Sequence, residues 1–335
     1  MLVNLTMKKR LQNRIAESHY ALLTTAFYTL IVWFLGGVVS QQLYIQLGVF
    51  GICTYLMMEL NNANALIRIY SRMVSCSFMV LSAMSLFAIQ SLGVSLVLLC
   101  FITFLLTLFN SYQDKRASGW IFYAFVCLGL ASTIFPQIVF FVPFVWMFIG
   151  FLLMALSHRT FWASIVGFLL PYWLIFPYCI LTSNMEFFEN LTSQLTDFQP
   201  LFQYGNLTPT RIVSFAITFI AAFIGTVHFL RNSFRDKIRT RMFFNIFIYF
   251  DLLILVFMAL QPQHFDMLLC MMIVVTSPLI GHFVALTRTK ATNVTFSVFL
   301  ILTVAATAFN LYLTTGQAEP INAPISTLLN NLLPH

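Results

Sequence analysis

Long apolar runs alternate along this chain with short polar segments in which Lys and Arg gather. A helix needs roughly 20 mostly apolar residues to cross a bilayer. By that measure the sequence predicts spans near 20–38, 43–60, 69–89, 93–110, 119–134, 138–156, 160–182, 211–230, 242–260, 266–286 and 293–313. The fifth and sixth are separated only by Phe135, Pro136 and Gln137. Barrel strands would alternate polar and apolar residues over about ten positions, and these runs do not. The expected fold is all-α: one polytopic transmembrane helical bundle of about eleven spans in a single domain, residues 1–335.

Composition narrows the solvent. Of 335 residues 60% are hydrophobic and 8% charged, with a mean hydropathy of +0.90, whereas an ordinary soluble domain carries roughly 25% charged residues. So few charges cannot cover a water-facing surface, and in lipid the backbone must satisfy its own hydrogen bonds. The net charge of +7 is distributed as membrane topology distributes it. With the N-terminus inside, 16 of the 17 basic residues fall in cytoplasmic segments, and only Arg211 lies outside. The C-terminus is then outside. Anionic headgroups at the cytoplasmic loops are the expected partners, a protein partner is compatible with the pattern, and no basic patch interleaved with aromatics points to nucleic acid.

Three segments stand apart from the spans. Residues 1–19 form a basic cytoplasmic segment, and the run behind it reads as a first span rather than a cleaved signal. Residues 183–210 form an outer loop in which Phe187, Phe188, Leu191, Leu195, Phe198 and Phe202 recur at helical spacing, with Pro200 near the end. That pattern predicts an amphipathic surface helix. The outer tail, 314–335, shows a weaker helical face in Ile325, Leu328, Leu329 and Leu332.

Asp251 is the most informative polar position. It sits inside an apolar run, where a charged carboxylate costs roughly 2.5–3.5 kcal/mol. Proton relay, cation or substrate binding competes there with a neutral or paired Asp that locks two helices. Glu59, at the end of the second span, is the other intramembrane acid. The stretch from Glu59 to Arg72 contains Asn61, Asn64, Arg68 and Arg72. On a continuous helix these four would share a face and could hold a phosphate or headgroup. The asparagines could equally mark a turn, with positive-inside anchoring accounting for both arginines. Arg231, Arg235, Lys237, Arg239 and Arg241 form a basic loop with Asp236 its one acid. Arg211 closes the outer loop and is the outer-face candidate. His19, His158, His228 and His282 read as four separate interfacial histidines. Pro171 and Pro177, beside Tyr172 and Tyr178, mark a kinked seventh span, and Pro278 does the same in the tenth. The six cysteines all fall in apolar runs without metal-ligand spacing, so no metal site is expected. No nucleotide-loop or hydrolase motif occurs, so the sequence names no cofactor.

The runs Arg159-Thr-Phe-Trp-Ala-Ser-Ile-Val-Gly-Phe-Leu-Leu-Pro-Tyr-Trp-Leu174 and Ala124-Phe-Val-Cys-Leu-Gly-Leu-Ala-Ser-Thr-Ile-Phe-Pro136, with the Asn/Arg stretch 61–72, carry a resemblance. They are similar to an uncharacterised family of multi-spanning inner-membrane proteins from Bacteroidota. The resemblance covers a third to a half of the chain and implies a bacterial inner membrane, with no activity and no site residues to transfer. Three functions stay open on the sequence. They are transport or flipping of an envelope lipid or glycan intermediate, a membrane-embedded glycan transferase or polymerase acting at the outer face, and a non-catalytic subunit of an envelope assembly. The first is the leading expectation.

Overall fold

A computed structural model of the chain describes residues 11–181, 185–196, 205, 207–287 and 289–315. Phe198, Pro200 and Phe202 from the predicted surface helix, the tail positions Ile325, Leu328, Leu329 and Leu332, and the basic residues Lys8, Lys9, Arg10 and Arg288 lie outside the described residues, as does the side chain of Tyr178. Every regular element among the described residues is a helix, and none is a strand.

In chain order the helices are α1 (Leu11–Ala16), α2 (Ala21–Leu35), α3 (Tyr44–Asn64), α4 (Met73–Met84), α5 (Leu86–Ile89), α6 (Leu92–Phe109) and α7 (Ser118–Ile134). There follow α8 (Val142–Phe151), α9 (His158–Leu181), α10 (Glu186–Thr196), α11 (Pro209–Asn232), α12 (Ile238–Leu260), α13 (Phe265–Leu286) and α14 (Lys290–Thr315). Six helical segments, at α6, α9 and α11 to α14, are long and apolar enough to cross a membrane. The chain is therefore an integral membrane protein by length and composition. The helices α2, α4, α7 and α8 are apolar but shorter.

Two predicted spans are broken. The third, expected at 69–89, starts only at Met73 and is interrupted at Ser85, where α4 gives way to α5. The sixth, expected at 138–156, begins as a 3-10 turn over Pro136–Phe141 and becomes α-helical at Val142. Proline at the first turn of each piece explains the restart, since a helix start needs no N–H there.

The core is organised around α13, which packs against α4, α6, α11 and α12. It is buried on every side, 94% of its most apolar window lying inside the protein, as expected for a helix that is hydrophobic all round. Glycine lets the backbones meet: a Cβ on Gly225 of α11 would sit 2.7 Å from the Leu279 carbonyl carbon of α13. The contact of α7 with α9 is closer still and reciprocal. A Cβ on Gly129 would lie 2.4 Å from the Phe168 carbonyl oxygen, and one on Gly167 2.5 Å from that of Phe122. Small residues at such crossings are how helices associate in lipid, where there is little hydrophobic drive between them.

The basic connections gather at one end of the bundle, tied by hydrogen bonds. Ser71 Oγ donates to the Ala16 carbonyl, Arg239 to Asn64 Oδ1 and Ser157 Oγ to the Lys115 carbonyl. The Gln12 side chain donates to the carbonyls of Phe283 and Val284 and contacts the Thr287 hydroxyl, capping the last turn of α13. The opposite end is held by other pairs, including Gln90 Nε2 to the Gly36 carbonyl and Asn310 Nδ2 to the Met84 carbonyl.

Candidate functional site

Each sequence candidate has a definite place, and most are used up by their neighbours. Asp251 faces the interior, 4% exposed. It accepts from Thr276 Oγ1 of α13 at 3.1 and 3.4 Å, and it is not in the lining of the basic-end cavity described below. The pair joins α12 to α13. Glu59 is half-buried and has no ion pair with a described residue. Arg211 is engaged by Asp266 through two parallel bonds, Nε to Oδ1 at 2.8 Å and Nη2 to Oδ2 at 2.7 Å. This bidentate geometry is the strong form of the Arg–carboxylate pair, and it fastens the start of α11 to the start of α13.

Of the two readings of Asn61, Asn64, Arg68 and Arg72, the continuous helical face does not form and the turn at the asparagines does. The helix α3 ends at Asn64, Ala65 takes a left-handed conformation at φ 46°, and the chain stays non-helical until Met73. The reason is local. Asn61 Oδ1 accepts from the Ile67 N–H while its Nδ2 donates to the Ser71 carbonyl. One side chain thus clamps both ends of the link, a competition with helix that Asn is suited to win. Arg72 turns back over the Tyr70 ring, 5.2 Å from its centroid. Arg68 lines a cavity.

That cavity, of about 870 Å³, opens at the basic end between α11, the end of α13 and the start of α14. Arg68 reaches it from the clamped link, Arg231 from the last turn of α11, and Arg235 from the 3-10 turn Ser233–Arg235. His228, Asn232 and Thr287 add polar groups. The N-terminus of α14 supplies Ala291, Thr292 and Thr295 to the lining, and the unpaired N–H groups of a helix start favour an anion. Thr289 and Thr292 cap that start reciprocally, each backbone N–H donating to the other's hydroxyl at 3.2 Å. One wall is apolar, formed by Phe223, Ile224 and Val227 of α11. It runs onto the outer surface of the bundle, where Phe223 is 63% exposed.

Asp236 lies buried behind the arginines. His282 Nε2 donates to its Oδ2 at 3.0 Å, and Arg68 Nη1 stands 3.8 Å from its Oδ1. The His228 ring lies 5.4 Å from that of His282 and accepts from Asn232 Nδ2 at 3.1 Å, when the tautomer is assigned from this network. So two of the four histidines expected to stand apart meet in one cluster, because α11 and α13 cross here. The others do stay separate, His19 against Tyr70 and His158 against Trp162. Among the described residues, Arg231 and Arg235 have no carboxylate at ion-pair distance. Among the described residues the cavity is thus lined by three guanidiniums, with the Asp236 carboxylate behind them, a positive surplus beside an apolar wall.

Sequence reasoning missed three partners. Asp236 was only the odd acid in a basic loop. Asp266 could have been paired with Arg211, since both begin predicted spans on the same side. Asn310, buried between α4 and α11, donates to the Met84 carbonyl and to Ser214 Oγ. Its signal was the spacing Thr303, Thr307, Asn310 on one helical face. Among the described residues no group of three His, Cys, Asp or Glu side chains is arranged to hold a metal ion. No family model, curated protein or solved structure matches this chain.

Proposed function

We propose that this protein spans a bacterial inner membrane about eleven times with its N-terminus inside, and that it transports or otherwise handles an envelope lipid or lipid-linked intermediate at the basic cavity. The observation that carries this reading is the cavity's amphipathic lining: arginines and hydroxyls at the end of the bundle, continuous with an apolar wall exposed at the protein's side. A soluble anion has no use for that wall. An amphiphile needs both parts, its headgroup on the guanidiniums and its chain along α11, as basic pockets between membrane helices hold anionic headgroups. The gathering of basic loops at one end supports the topology. The resemblance to Bacteroidota inner-membrane proteins supports the compartment. The outer-face transferase reading is weakened at Arg211, whose charge is already matched by Asp266 through Nε and Nη2.

A photo-crosslinking amino acid placed at Thr292 and illuminated in intact membranes tests the reading. A lipid adduct is the expected product. An adduct with a protein and none with lipid would instead favour the assembly-subunit role.

A further inference from the structure

The charge count of the cavity carries further than the lipid itself. Among the described arginines that line the cavity, Arg68 is the one shared with a carboxylate, standing 3.8 Å from Asp236 Oδ1 and donating to the Arg235 carbonyl at 3.3 Å. Asp236 is in turn held by His282 on its other oxygen. Arg231 and Arg235 are left with their full charge on the cavity, and both side chains belong to exposed residues that can swing onto a ligand. The capped start of α14 faces the same space. A singly charged phosphodiester would leave one guanidinium unmatched. A zwitterionic headgroup would bring a cation against three arginines. A terminal phosphate or diphosphate brings two or more negative charges and enough acceptor oxygens for two guanidinium forks.

We infer that the cavity beside Arg231 and Arg235 is a binding site for a dianionic terminal phosphate or diphosphate group. This inference rests on the amphiphile reading above for the rest of the molecule, a lipid chain lying along Phe223, Ile224 and Val227. The group's own chemistry is shared by phosphomonoester lipids and by free phosphate or diphosphate, and experiment separates the sources.

Purified full-length protein in uncharged detergent is titrated at about pH 8.5, where a phosphomonoester carries close to two charges. The probes are short-chain phosphatidic acid, phosphatidylglycerol of equal chain length, and inorganic diphosphate. Phosphatidic acid is expected to bind about tenfold more tightly than phosphatidylglycerol. The variant R231Q/R235Q is expected to erase that preference. The variant K115Q/R116Q removes the same charge from the same end, outside the cavity, and is expected to keep it. Equal binding of the two lipids by the wild type overturns the dianion assignment and leaves the lipid reading standing. Diphosphate binding as tightly as phosphatidic acid upholds the dianion site and overturns the lipid source. No binding of any probe, or binding insensitive to R231Q/R235Q, overturns both. The wild-type lipid comparison decides the assignment even if the double variant fails to fold.

Discussion

The helices α11 and α13 run side by side, and their two ends are finished in opposite ways. At one end Arg211 and Asp266 close on each other through two short bonds, one charge cancelling one charge. At the other end Arg231 and Arg235 face a cavity of about 870 Å³, with Asp236 already shared between His282 and Arg68. Between them the backbones touch at Gly225. A matched pair is a fastening. A surplus of like charge beside a cavity costs stability through self-repulsion, and a ligand of the opposite sign relieves it. The difference separates a structural end from a binding end on the same helix pair.

The comparison can be broken first at its middle. Gly225→Val drives a branched side chain into the α13 backbone and is expected to cost about 3 kcal/mol, because overpacking against main chain has no flexible neighbour to yield. Thermal unfolding in detergent should fall steeply, and lipid retention at the basic end should fall with it. At the fastened end, Arg211→Met strands Asp266 and is expected to lower stability by about 2 kcal/mol, typical of a lost charged hydrogen-bonded pair. Arg211→Met/Asp266→Leu should recover part of that loss. Neither variant should alter headgroup preference, and if either does the two ends are not separate. Asp251→Asn keeps an acceptor for Thr276 Oγ1, so less than about 1 kcal/mol is expected. Normal abundance with lost function would make Asp251 a working carboxylate rather than a helix tie. The smallest effect belongs to the binding end. Arg231→Gln at an exposed position should move stability by no more than about 0.5 kcal/mol, yet weaken lipid binding measurably.

Much of the fold was legible because periodicity and charge are local signals. Each apolar run predicted from the sequence coincides with helix, though the runs at 69–89 and 138–156 are interrupted by Ser85 and by the prolines Pro136 and Pro143. Little of the site was legible, for a physical reason. Arg68 is aimed by an asparagine clamp that bends the chain out of the helix that spacing alone suggested. The pairs His282–Asp236 and Arg211–Asp266 bridge 46 and 55 residues, and no periodic pattern registers such contacts. Positive-inside counting treats the basic residues of the connections alike, so it does not separate Arg68, which is paired in the fold, from Arg231 and Arg235.

The most direct measurement is native mass spectrometry of the protein gently extracted from its own membrane, comparing wild type with R231Q/R235Q and with Arg211→Met. Retention of an anionic lipid by the wild type and by Arg211→Met, and its loss from R231Q/R235Q, is the predicted result. Equal retention by all three would contradict the account, because the lipid would then be held somewhere other than the basic end of α11.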